Sequence, residues 1–416
     1  MNTIYSITDR AARLLFYGLV LVAPACGGGS AGDPSPPPTP EPPAPQPPTG
    51  FVYQVPEDRG DTWTVAHASA QGVDVPALEA MMDDVQGGGF DVIDSIAIAR
   101  GGALVFDETI RTELADNDQD VNNTNLAMHA QFSVSKSITS LVVGIAIDEG
   151  HIAGVEVPYL DLFPYTDYAN WDERKSDITL QHVLAMQLGL QWNEWDPSYE
   201  SADNQWNRFY SNEHDFAKAL LDLPVVADPG TEFAYNTAAT VSLGQAVENS
   251  VPLTLDDFGI GELMLPLGIT EIEVTRTPTG LANGGGGFFL RTRDVAKFGQ
   301  LMLNDGTWNG DRIVSNAWIS DSLTPRTAIT WDNPGQWDWQ VTGYGYQWWL
   351  GFYDHEGSAV DAYVAWGFGG QWVVAIPSLD LVIAINSNGS EGGDAALNQA
   401  HALIRQHILP ALIVES

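Results

Sequence analysis

Ser133-Val134-Ser135-Lys136, continued by Ser137-Ile138-Thr139-Ser140-Leu141-Val142-Val143-Gly144-Ile145, is the stretch on which the reading of this chain turns. Apolar residues at 138, 141, 142 and 145 repeat with a helical period, and Gly150 is a fitting stop, so a helix begins at the Ser-x-x-Lys group. Positions i and i+3 share one helix face, which brings the Lys136 ammonium within reach of the Ser133 hydroxyl. A serine is a weak nucleophile until a base takes its proton, and a lysine is a base only where burial or neighbouring charge lowers its pKa. Phe132, Val134 and Ile138 supply apolar flanks for that burial. Backbone N–H groups at the helix start, that of Ser133 included, can also face a developing oxyanion. Lysine is scarce here, at 136, 175, 218 and 297 only, so the pairing stands out from the background. The plainer alternative is a capping serine followed by a solvated lysine, and four residues alone do not choose between the two.

Two further motifs lie downstream. Asp228-Pro229-Gly230-Thr231-Glu232-Phe233-Ala234-Tyr235-Asn236-Thr237 is a turn that delivers Tyr235 just ahead of a helix. A tyrosine there could share a proton with Ser133 or protonate a leaving group, provided a nearby ammonium favours its ionised form; read alone it is a packed aromatic. Trp366-Gly367-Phe368-Gly369-Gly370-Gln371 runs into the strand-like Trp372 to Ile376. Its glycines would let a substrate lie against a strand edge, and the Gln371 N–H is the expected second oxyanion donor beside Ser133. A bulge or tight hairpin is the structural alternative.

Around these motifs, residues 94 to 107 alternate and turn at Arg100-Gly101-Gly102, as a β-hairpin does. Helices are expected over 75–87, 178–188, 213–223, 237–248, 293–304 and about 394–408. Strands are expected over 362–365, 371–376 and 381–386. Strands towards both ends with a helix-rich middle give an α/β (α+β) fold: an antiparallel sheet flanked by helices, interrupted by a mostly helical insertion. The expected divisions are a folded domain over 51–416, its α/β part at about 51–150 and 285–416, and the insertion at about 151–284.

Residues 1–26 read as an export signal: Arg10 and Arg13, the apolar run 14–22, then Ala23-Pro24-Ala25-Cys26. The run is too short to span a bilayer. Cys26, the sole cysteine, stands in a segment that resembles a bacterial lipid-attachment box, with Ala23 and Pro24 departing from the usual pattern; cleavage after Ala25 without lipid is the alternative. Residues 27–50 form a linker with ten prolines between 33 and 50, an extended spacer of roughly 45 Å. The net charge of −37 excludes nucleic acid and an anionic membrane face as partners. The acids are dispersed, as on a surface solvated in salt water.

Taken in order, Ser133-x-x-Lys136 after a hairpin, Tyr235 at a turn and a glycine-rich strand entry at 367–370 resemble the serine β-lactamase and penicillin-binding-protein superfamily, on the side of class C β-lactamases, esterases and 6-aminohexanoate-dimer hydrolase. Leu180 to Leu190, Gly284 to Asp294 and Gly343 to Trp349 look like blocks of the same group, so the resemblance spans about 70–410. It implies a β-lactamase/transpeptidase-like fold and an acyl-enzyme on Ser133, with Lys136 and Tyr235 moving protons and no metal or organic cofactor. There are two departures. Thr237 stands where the β-lactamases of this group carry asparagine, and Phe368-Gly369-Gly370 replaces a cation, a small residue and glycine. Without that cation a substrate carboxylate loses its usual anchor, which turns the expectation from β-lactams and peptidoglycan stems towards small amides or esters.

The segment from Trp192 to Trp206 mixes aromatics and acids and is expected to overhang the cleft. Trp192, Glu194 and Trp195, with Thr237, Phe368, Gly369 and Gly370, are candidate substrate contacts. Glu194 and Asp196 are candidate acceptors for an amine-ended apolar chain. His129 and His182 read as structural. A β-lactamase or D-Ala-D-Ala peptidase is the alternative within the class. A catalytically inactive, membrane-tethered binding protein, for which 14 tryptophans would suit sugar or peptide, is the alternative outside it.

Overall fold

A computed structural model describes residues 3–5, 50–111, 128–212, 214–329, 339–388 and 393–413. The expected signal segment and spacer lie outside them except for Thr3–Tyr5 and Gly50, and Cys26 lies outside with them. The centre is an eight-stranded sheet in the order Ala103–Thr109, Ile93–Arg100, Leu381–Ser387, Gln371–Ile376, Ser358–Gly367, Trp349–His355, Trp339–Tyr344, Thr327–Ala328. Every neighbouring pair is antiparallel. The 93–109 hairpin turns through Gly101 and Gly102, at φ +61° and +72°, which is what a two-residue connection between twisted strands demands and glycine adopts freely. Ile383 pairs with Ile98 on one side and Val374 on the other, so the last strand joins the early hairpin to the late strands.

Gln371–Ile376 and Leu381–Ser387 are buried at every position. Trp372 meets His401 of the helix Gly393–Leu403, at 4.1 Å between ring centroids. Next along the strand, Val373 lies against Gly299 of the helix Thr292–Leu303. Successive strand residues point to opposite faces, so these two helices cover opposite sides of the sheet. A β-carbon at Gly299 would approach Val382 to 2.7 Å, so the helix seats only because the residue is glycine.

Between the early and late strands the chain is mostly helical. Thr237–Ser250 fills its expected range; 178–188 forms only Leu180–Leu184, because Met186 (φ +59°) and Gly189 (φ +72°) turn the chain away. Helix forms over Phe216–Leu221 within 213–223, with Glu213 outside the described residues. The last helix widens into a π turn over Ile404–Ile408. A small sheet orders Thr3–Tyr5, Ile272–Val274, Phe288–Leu290 and His129–Ala130. The last described residues are stitched to an early segment: the Asp74 N–H donates to Ala411 O and the Ile413 N–H to Gly72 O, both at 2.8 Å.

The motif helix, Val134–Asp148, is buried on all sides from Val134 to Ala146. Apolar periodicity alone does not foretell this, because the helix carries hydroxyls among its leucines and valines. Three donate to surrounding loops, Ser137 to Gln347 O at 2.6 Å, Ser140 to Tyr346 O at 2.9 Å and Thr139 to Gly284 O at 2.8 Å, and Ser135 accepts from the Phe288 N–H at 3.2 Å. Burying a hydroxyl without such a partner costs on the order of 1–3 kcal/mol. The blocks at 284–287 and 343–349 are therefore the socket into which this helix is set.

Candidate active site

Ser133 caps the motif helix from the helical region of φ/ψ, and the residue before it, Phe132, sits at φ +43°. A bulky side chain rarely adopts that conformation, which costs on the order of 1–3 kcal/mol and persists where surrounding contacts enforce it. Here the Phe132 ring stands edge-on to Phe368, at 5.8 Å. The elbow leaves the Ser133 N–H without a backbone partner among the described residues, while those of Val134, Ser135 and Lys136 bond to Gln131, Phe132 and Ser133 carbonyls.

Lys136 Nζ lies 2.8 Å from Ser133 Oγ and 2.7 Å from Gly285 O. The side chain is 1% exposed, and that burial lowers its pKa from the ordinary lysine value to about 8, against the opposing pull of Glu194. A neutral Lys136 is thus reachable near physiological pH, and its lone pair would face the serine. Tyr235 shares a cavity wall with Ser133, and its ring lies 5.0 Å from Lys136 Nζ. The expectation that the ammonium would favour an ionised tyrosine is corrected. Burial dominates and pushes the phenol well above its usual value, because the ring is stacked between Trp195 and Trp349, 5.6 Å from each. Tyr235 is a protonated phenol at neutral pH, which leaves the role of base to Lys136.

Two cavities meet at Ser133. One, about 370 Å³, is walled by Phe132, Tyr199, Trp206, Asn207, Tyr210, Thr237, Asn283, Gly286, Phe289 and Phe368 among others. The other, about 100 Å³, is walled by Trp195, Tyr199, Tyr235, Trp349, Trp366 and Phe368. Among the described residues Lys136 is the only cation in either wall, and none of them places a carboxylate there. Of the candidate contacts, Trp195, Thr237 and Phe368 line these cavities. Gly369 and Gly370, at φ +74° and +85°, shape the turn that presents Phe368.

Four other expected site residues line neither cavity. Gln371 pairs with Gly367 at the base of the turn and its side chain is buried, donating to Ser387 O at 2.8 Å, whereas Phe368 shares both walls with Ser133. Glu194 is 1% exposed, and four protein donors occupy its oxygens: Trp192 Nε1 (2.8 Å), Tyr199 Oη (2.7 Å), and Thr237 N and Oγ1 (2.6 Å each). No lone pair is left for a substrate amine. Trp192 is likewise spent, its N–H on Glu194 and its ring edge-on to Phe209. Asp196 faces a separate groove of about 510 Å³ on the outer side of the loop, with Gln191, Asp203 and Arg208. His129 lies 3.7 Å from Asp94, and His182 accepts from the Thr179 N–H; neither lines the cleft. Among the described residues no cluster of three or more His, Cys, Asp or Glu could hold a metal ion.

Sequence reading missed Tyr199, Trp349, Trp366 and the Gly285 carbonyl. Only the last carried a signal, in the Gly284–Gly287 run: a β-carbon at Gly285 would lie 2.8 Å from Thr237 Cγ2, so a larger residue would push the lysine's acceptor out of place.

This sheet and helix arrangement, with a serine, a lysine and a tyrosine converging at the start of a buried helix, defines the serine hydrolases of β-lactamase and penicillin-binding-protein type. The Beta-lactamase family matches residues 79–406, and the chain belongs to that family as one of its serine hydrolases. It is 28% identical over 298 residues to the 6-aminohexanoate-dimer hydrolase of Paenarthrobacter ureafaciens, covering 68% of this chain and 69% of that one. The solved structure of EstCE1, a hydrolase with promiscuous acyltransferase activity, superposes with a TM-score of 0.60 at 15% identity, over 82% of this chain and 99% of its own. A penicillin-binding protein from Bacillus halodurans does so at 0.56 and 15%, over 77% and 98%.

Proposed function

We propose that the protein cleaves small, neutral amides or esters through an acyl-enzyme on Ser133. Neutral Lys136 takes the Ser133 proton as Oγ attacks the carbonyl carbon. The N–H groups of Ser133 and Phe368 hold the oxyanion, and the Tyr235 phenol passes a proton to the departing amine or alcohol. Water then attacks the acyl carbon, the proton returns along the same groups, and the carboxylic acid leaves. The observation that carries this is the 2.8 Å contact between Lys136 Nζ and Ser133 Oγ with the lysine buried.

The walls support neutral substrates: aromatic rings surround the serine, and among the described residues no cation besides Lys136 is there to receive the carboxylate of a β-lactam. Residues 1–26 support export, and Cys26 a lipid anchor, with the proline spacer holding the hydrolase off the membrane. Treating the purified protein and its Ser133→Ala variant with a fluorophosphonate and reading intact mass is the test. One adduct on the wild type alone is expected; adducts on both, or on neither, would overturn the assignment of the nucleophile.

A further inference from the structure

Glu194 is a buried carboxylate that forms no ion pair within 4 Å among the described residues. An anion taken out of water must be held by donors or by a more distant opposite charge. Its two oxygens are held differently. Oε2 accepts from two N–H groups, those of the Trp192 indole and the Thr237 backbone, and Oε1 accepts from two hydroxyls, those of Tyr199 and Thr237. Thr237 opens the helix that Tyr235 precedes, and Tyr199 stands in the walls of both cavities. Lys136 and Thr237 face the same cavity.

We propose that Glu194 is a positioning residue of the hydrolytic site: it is the buried counter-charge of Lys136 and the common anchor of the 192–206 loop and the Tyr235 turn. This inference rests on the Ser133–Lys136 reading above. The groups that touch Lys136 are Ser133, the Gly285 carbonyl and the Tyr235 ring, and Glu194 stands beyond them, bonded to Thr237 of the same cavity wall. Tyr235 and the adjacent Tyr344 are buried phenols that stay neutral, so the negative field on Lys136 comes from Glu194. That field opposes burial. Without it Lys136 would lose its proton at lower pH but would be a weaker base towards Ser133, since a general base is most effective when its pKa lies near the working pH. Glu194 contacts neither the lysine nor the serine and acts through charge and anchoring alone.

The two kinds of donor make the test clean. In Glu194→Gln the amide oxygen can keep the two N–H donors at the Oε2 position. The amide nitrogen then donates to the two hydroxyls, which turn round and accept. The charge goes while the anchor stays. The measurement is the rate of fluorophosphonate labelling of Ser133 against pH, in wild type, Glu194→Gln and Tyr199→Phe. In the glutamine variant the midpoint is expected to fall by about one pH unit, the order of effect of one nearby charge, and the high-pH plateau to drop below wild type. The two profiles should therefore cross. Tyr199→Phe keeps the charge and should keep the midpoint. A folded glutamine variant with an unmoved midpoint would overturn the proposal, and so would a glutamine variant that does not fold, since the hydroxyls are there to receive it. Failure of the wild type to label at any pH would instead sink the nucleophile assignment itself.

Discussion

Lys136 and Lys175 are both buried, and both give two hydrogen bonds from Nζ. Lys175 donates to Ala169 O at 2.8 Å and Leu221 O at 2.6 Å, and burial lowers its pKa below the ordinary lysine value. Lys136 donates to one carbonyl, Gly285 O, and to one hydroxyl, Ser133 Oγ. That single exchange of acceptor separates a staple from a base. A carbonyl can only receive, so an ammonium between two carbonyls has nothing to take a proton from. A hydroxyl can also donate, and this one opens on a cleft. Desolvation is common to the two lysines; the reversibility of the partner is not.

The comparison breaks most severely at the pair itself. Lys136→Met and Ser133→Ala should each lower kcat/KM for an activated ester by about a thousandfold or more. The double variant should be no worse than either single one, because the two act as a unit. Additive losses, measured in a double-mutant cycle, would separate them. Holding Lys136 charged at neutral pH against a pKa of about 8 costs on the order of 3 kcal/mol. Methionine regains that while orphaning Gly285 O, so the inactive variant should melt close to the wild type. Tyr235→Phe comes next, with a loss of about a hundredfold for amides and a smaller one for p-nitrophenyl esters, whose leaving group needs no proton. Equal losses for both substrates would remove the tyrosine from leaving-group protonation.

Third is pH. The folded pKa of Lys136 lies below its unfolded value, so the neutral, competent form gains as pH rises, and kcat/KM should climb through about 8. Below that midpoint it should fall about tenfold per pH unit. Stability should rise in the window above it, from about 8 towards the ordinary lysine value, because the unfolded chain there binds the extra proton. Smallest in catalytic terms is Lys175→Met. It should leave kcat/KM of the folded protein within about twofold and cost about 1–3 kcal/mol for two orphaned carbonyls, read by denaturant titration. A large loss of activity from that change would erase the distinction between the two lysines.

The serine, the lysine and the tyrosine were legible because their chemistry depends on local spacing: three residues along a helix, and a turn just ahead of another. The sheet was legible at its two ends for a similar reason, since the Gly101-Gly102 turn and the alternation around it are local. What escaped depends on how loops close. Whether Phe368 or Gln371 meets the serine is set by where the 368–370 turn hands over to strand pairing, and the sequence offers no mark of that register. Glu194 and Asp196 are two residues apart in a loop of no fixed period. One is sealed under the Tyr235 turn and the other faces a groove on the outer side, a difference made wholly by contacts from Thr237 and Tyr199. Trp349 and Trp366 come from strands on the far side of the sheet order, brought in by long-range pairing. The 178–188 segment shows the converse: its composition suits a helix, and a left-handed residue at Met186 ends it early.

The hydrogen bonds between Gly72–Asp74 and Ala411–Ile413 tie the start of the helix Val75–Gln86 to the last described residues of the chain. An early and a late segment thus protect each other's backbone, and their amides should exchange with solvent together rather than fray one at a time.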